Sequence, residues 1–168
     1  MNTSEMIVEI QQVRQNLINH VNTRFNLIIA RLEGQEITPA DYETALVVQN
    51  VKLSADPSIF VGVRPVAVLF GGERIAVKSW TSVYKTVLQR CNREPVYHDR
   101  LMQLRGKLSG SVRVFLADRP DNMKRPLKID DDLYAESHYG SQGMMHILVH
   151  RILAAVHYDY SNISVDIR

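Results

Sequence analysis

The chain has a single cysteine, a single tryptophan, and no long apolar run. A lone thiol, Cys91, cannot close an internal disulfide and suits a reducing compartment. No uninterrupted apolar stretch approaches the roughly 18 residues that a spanning helix needs, so no membrane segment is expected. The opening Met1-Asn-Thr-Ser-Glu-Met-Ile-Val-Glu-Ile10 lacks the basic and apolar regions of a secretory signal. A cytoplasmic protein is the expectation. The formal net charge of +2 is too small to announce a nucleic-acid binder. Missing too are the spacings of the P-loop and of the dinucleotide fingerprint, so Gly71-Gly72 reads as a turn and not as a phosphate loop.

What is present is the composition of a globular protein, 45% hydrophobic and 23% charged over 168 residues. Charge is unevenly placed. Residues 1–50 hold three Arg against six Asp or Glu, and residues 51–168 hold seventeen Lys or Arg against twelve acids. The positive potential therefore belongs to the C-terminal part, where an anionic ligand is favoured.

Met6, Ile10, Val13, Leu17, Val21, Phe25, Ile28 and Leu32 recur at gaps of three and four, which predicts one helical stripe. Asn2 and Glu5 have capping-box spacing, and Gly34 supplies a stop. Such a helix, about 45 Å long, calls for a partner, and a homo-oligomer assembled through it is expected. Packing of the stripe across its own domain is the plainer alternative. Thr38-Pro39-Ala40-Asp41 opens a second helix, expected to run to about Val51. The expected organisation is a helical arm over 1–52, a linker over 53–64 rich in loop residues, and an α+β module over 65–168.

Within the module, Val66–Phe70 and Arg74–Lys78 flank Gly71-Gly72 and predict a hairpin. Ser79 reads as an N-cap for a helix bearing Trp80, Val83, Tyr84, Val87 and Leu88, and a second helix follows Asn92–Pro95. Val112–Leu116, Leu127–Ile129 and Leu133–His138 read as extended, Ser141 to about His157 as a helix, and Asn162–Ile167 as a closing strand. The expected fold class is α+β, a long N-terminal helical arm followed by a small, mainly antiparallel sheet packed with helices.

Chemistry-bearing residues concentrate in Arg105–Lys128, where Arg105, Lys107, Arg113, Arg119, Lys124, Arg125 and Lys128 face only Asp118 and Asp121. Arginine suits bidentate phosphate contacts, and Trp80, Tyr134 and Tyr139 could stack on a base. A solvated basic face, partly neutralised by Asp130–Asp132, is the plainer alternative. His146 and His150 stand four apart, with His157 expected on the same face two turns on. No carboxylate or thiolate completes a metal set locally, and Ile147 stands where a zinc-protease helix carries its glutamate, so histidines on a half-buried face explain the pattern more simply. Cys91 lies on an apolar helix with nothing placed to activate it. Asp130, Asp131, Asp132 and Glu136 could hold Mg²⁺ or act as acid and base, though a solvated turn is the commoner meaning of such a run.

The strings Val66-Ala-Val-Leu-Phe-Gly-Gly-Glu-Arg-Ile-Ala-Val-Lys-Ser-Trp80, Leu104-Arg-Gly-Lys-Leu-Ser-Gly110, Arg125-Pro-Leu-Lys-Ile129, Leu133-Tyr-Ala-Glu136 and Ile163-Ser-Val-Asp-Ile167 resemble a module of uncharacterised phage and mobile-element proteins that is also appended to restriction-type defence proteins. That resemblance covers about two thirds of the chain and implies a binding module. In the phage setting the chain is also similar, in size and expected assembly, to proteins of the Sequestin type that sponge up nucleotide immune signals. The expected function is a non-enzymatic protein sequestering a phosphorylated, nucleotide-derived small molecule. Arg113, Arg119, Lys124 and Arg125 would grip phosphate, with Trp80, Tyr134 and Tyr139 as stacking surfaces. No catalytic residue, metal or cofactor is assigned. The rival is a nucleic-acid-binding or protein-interaction module, and a weaker third is a metal-dependent nucleotide-degrading enzyme using Asp130–Asp132.

Overall fold

The computed structural model describes residues 28–34, 48–110 and 114–168, together with positions 7, 10, 11, 14, 18, 21, 22, 25 and 26. The chain divides into two units, Met1–Gln49 with Arg168, and Asn50–Ile167. In the first, residues 28–32 are helical and the helix closes at Gly34, whose φ of 76° a glycine adopts without strain. The N-terminal arm as a continuous element, and the start of the helix expected from Thr38, lie outside the described residues. Where that second helix was expected to reach Val51, the chain is already a strand, β1 (Gln49–Lys52).

The second unit is α+β and holds two small antiparallel sheets where the sequence suggested one. The first contains β1, β2 (Pro65–Phe70), β3 (Glu73–Ala76) and β7 (Ile163–Ile167) in the order β1-β7-β2-β3. The predicted hairpin is present, with Phe70 opposite Glu73 and Gly71 at φ 63°. The last strand of the chain sits inside the sheet, Val165 opposite Val68 and Ile163 opposite Phe70, and it is buried along its whole length. Alternation puts Ile163, Val165 and Ile167 on the core face and Ser164 and Asp166 on the other.

The second sheet runs β4 (Leu116–Ala117), β6 (Leu133–Glu136), β5 (Pro126–Asp130). β6 is central, with Ala135 opposite both Leu116 and Leu127. Of the strand expected over Val112–Leu116, residues 111–113 lie outside the described residues. Ser109 and Val114 form an isolated bridge, and regular pairing begins at Leu116.

Helix α1 (Trp80–Asn92) starts where expected, the Ser79 hydroxyl accepting from the Ser82 amide at 3.1 Å. Its buried Val83, Tyr84, Val87, Leu88 and Cys91 form one stripe at helical spacing. That stripe packs on β2, β5, helix α2 (Pro95–Leu104) and helix α3 (Ser141–His146). Pro95, at the first position of α2, forces the break between the two helices. The stretch read as a linker contributes to this core, because Leu53 and Phe60 are fully buried and Pro57–Phe60 forms a 3₁₀ turn against α3.

α3 does not continue to His157 as an α-helix. From Ile147 to Leu153 the backbone is π-helical, with five-residue hydrogen bonds from the Ala154 amide to the Val149 carbonyl (3.1 Å) and from Tyr158 to Leu153 (3.0 Å). His157 lies beyond the helix at φ 55°. It is therefore not two turns further along the His146–His150 face. Among the described residues no helix is long and apolar enough to cross a membrane.

Candidate functional site

The chemistry of the second unit is organised by one buried carboxylate. Glu136, the last residue of β6, is fully buried. Its Oε2 accepts from the Lys124 amide at 2.6 Å, and its Oε1 accepts from the amides of Arg125 at 3.0 Å and His138 at 2.9 Å. The Arg125 carbonyl, in turn, accepts from the Ser137 amide at 3.0 Å and the Ser137 hydroxyl at 2.8 Å. Segment 124–126 and segment 137–138 are thus tied together through main chain. A carboxylate accepting several N–H groups forms strong, charge-assisted bonds, and a rigid backbone limits how far the attached side chains must be ordered when a ligand arrives.

Beside this tie lies an open groove of about 310 Å³ lined by Arg125, Ser137, His138, Tyr139 and Gly140. Arg125 and His138 are exposed, and no ion pair among the described residues engages the Arg125 guanidinium. Tyr139 is half-buried, its ring edge-on to Phe115 at 6.3 Å between centroids. Arg151 covers the Phe115 ring, with 5.7 Å from its guanidinium carbon to the centroid.

A second groove, of about 380 Å³, includes Arg105, Gly106, Lys107, Asp118 and Asn122 in its lining. Arg105 is already engaged there, donating to the Met102 carbonyl at 3.1 Å and to the Asp132 carbonyl at 2.9 Å, with the Asp132 carboxylate at 3.4 Å. Asp118 adds negative charge to the same wall. The lining of the first groove, by contrast, contains no acid.

Of the residues singled out in the sequence, Arg125 and Tyr139 come together in the first groove. Lys124 and Arg119 are exposed on the adjoining loop, and Arg113 lies outside the described residues. Trp80 is held elsewhere, its indole Nε1 donating to the Val63 carbonyl at 3.0 Å and its ring tilted against Phe60 at 4.9 Å. Tyr134 is half-buried on β6, opposite Lys128 and Ala117.

The acidic run does not converge. Asp130 accepts from Asn92 at 2.7 Å, Asp131 pairs with Lys128 at 2.9 Å, and Asp132 faces Arg105. Among the described residues no group of three or more His, Cys, Asp and Glu could hold a metal ion. The Cys91 thiol is buried, and that burial, with Glu94 nearby, pushes its ionisation up to about 12, opposite to the shift of a nucleophilic thiol.

His138 and the organising role of Glu136 were not apparent in the sequence. Glu136 ends an apolar strand and looks like one more member of the Asp130–Asp132 cluster. Only its burial, given by the segments that cover the end of β6, separates it from them. Against protein-family models, curated proteins and solved structures, the chain has no match.

Proposed function

We propose that the protein is a non-enzymatic binder that sequesters a phosphate-bearing, nucleotide-derived small molecule in the Arg125–His138–Tyr139 groove. The observation that carries this reading is the contrast between a fixed main chain and a free guanidinium. Glu136 and Ser137 hold the backbone on both sides of the groove, and among the described residues nothing engages the Arg125 side chain. Arginine in such a setting grips phosphate through two parallel N–H bonds. Tyr139 offers an apolar ring to a base or sugar, and a volume of about 310 Å³ is within the size range of small-molecule sites. Lys124 and Arg119 add field on the adjoining loop. Sequestration needs binding without turnover, and a phage anti-defence sponge is the setting in which such a protein acts.

Assembly belongs to the same reading. Phe25, Ile28 and Leu32 leave 60%, 56% and 82% of their surface exposed at helical spacing, and a homo-oligomer would cover them. The rival partner is nucleic acid, favoured by the exposed cations Lys107, Arg119 and Lys124 outside the first groove.

A thermal-shift panel of cyclic and ADP-ribose-type nucleotides tests the proposal. A ligand at about 100 times its Kd stabilises by about 2.7 kcal/mol, and Arg125→Ala is expected to remove that shift without changing the unliganded melting temperature. No stabilisation by any member sinks the small-molecule reading. Binding to oligonucleotides that weakens steeply with salt supports the rival instead. Light scattering on the same sample reports the oligomer, and a monomer rejects assembly.

A further inference from the structure

We propose that His146 and His150 form a two-imidazole binding site for a divalent transition-metal ion of the nickel, copper or zinc type. The two rings lie 5.0 Å apart between centroids with 43° between their planes. Both residues are exposed, whereas Met144, Met145, Ile147, Leu148 and Val149 around them are buried. Packing therefore fixes the helix and leaves the two imidazoles to solvent. No hydrogen bond among the described residues engages either ring.

The backbone places the pair. His146 closes α3 and the π-helical segment begins at Ile147. An α-turn advances about 100° per residue and a π-turn roughly 80°, so four residues across the junction sweep close to one full turn. Two side chains four apart then stand one above the other instead of drifting around the helix. Short π-helical segments recur at functional sites because they re-aim side chains in this way.

Imidazole suits nickel, copper and zinc, and metal–nitrogen bonds of about 2.0–2.1 Å bring two ligating nitrogens to roughly 3 Å of each other. Rings with centroids at 5.0 Å reach that separation by rotation about their side-chain bonds. With no third side-chain ligand among the described residues, water completes the coordination. The result is a chelate of moderate affinity, distinct from a structural metal site.

Calorimetric titration of the protein with NiCl₂ at neutral pH tests the inference. One ion is expected per chain, with His146→Gln and His150→Gln each weakening binding by roughly tenfold or more. His157→Gln, beyond the helix, is expected to leave it within about twofold, close to the resolution of such measurements. Ni²⁺ should also raise the melting temperature of the wild type and of the His157 variant, and of neither other variant, since chelation is made in the folded state. Acidification should release the ion as protons compete for the imidazoles. Absence of wild-type binding overturns the proposal, as does wild-type affinity in either the His146 or the His150 variant. Both histidines are exposed, so circular dichroism of the apo variants separates lost ligation from lost folding.

Discussion

Two polar regions of the second unit solve the same problem in opposite ways. On the outer face of the four-stranded sheet, Asp166 is almost fully buried and its charge is consumed locally. Asn50 donates to its Oδ1 at 2.8 Å and to the Ser164 hydroxyl at 3.0 Å, and Arg74 donates to Oδ2 at 3.0 Å. Side chains meet side chains there, and nothing is left over. Around Glu136 the carboxylate accepts from the amides of Lys124, Arg125 and His138, and the side chains of those three residues make no hydrogen bond to it among the described residues. A buried acid that takes up side-chain donors makes a structural patch. A buried acid that takes up amides can hold a loop in place while leaving the side chains of that loop available to a ligand.

Replacing Glu136 breaks this comparison most severely. Glu136→Ala removes the acceptor of three amides at once, and the expected loss is about 3 kcal/mol or more in urea unfolding. Hydrogen exchange at Lys124, Arg125 and His138 should rise with it. Stability within about 0.5 kcal/mol of wild type, the range of an ordinary surface substitution, would show that the frame does not depend on the carboxylate.

Asp166→Ala is expected to be milder, at about 1–2 kcal/mol, because Arg74 is half exposed and regains water when its partner goes. Its sharper signature is the absence of any effect on the nucleotide-dependent thermal shift that the proposed function predicts. A loss of binding comparable to that of Arg125→Ala would merge the two regions into one functional network.

The smallest expected effect has the opposite sign. The Tyr84 hydroxyl is buried without a hydrogen-bond partner among the described residues, and burial, reinforced by Tyr139 and Glu136, pushes its ionisation well above the usual phenol range. Tyr84→Phe removes an unmet polar group and is expected to stabilise by up to about 1 kcal/mol. Destabilisation by a similar amount in the same denaturation assay would mean that the hydroxyl has a partner, such as an internal water linking it to the Glu136 network.

Much of the local structure was legible in the sequence. The Gly71-Gly72 hairpin, the Ser79 cap, the Pro95 break and the alternating Ile163–Ile167 strand are written in residues whose backbone preferences act over a few positions. Legibility failed where tertiary context decides. Leu53 and Phe60 sit among loop-forming residues, and only the space beneath the first sheet and α3 makes them core. Trp80 looked available for stacking, yet Val63 and Phe60, distant in sequence, occupy it. His157 looked to be in phase with His146 and His150 because the phase was counted on an α-helix, and the π-helical segment and the turn after it end that count.

The basic run that opened the search for a ligand shows the same division. Sequence alone determined that residues 105–128 carry an excess of Lys and Arg, and that the chain is α+β with its positive field in the C-terminal part. Which of those cations are free was decided only by the fold. Arg105 and Lys128 find acids at short range, and among the described residues Arg125 does not. Glu136 acquired its role from its burial at the end of a central strand. The physical reason is that charge is a property of a residue, whereas availability is a property of its neighbours, and strand pairing between distant segments brings those neighbours together.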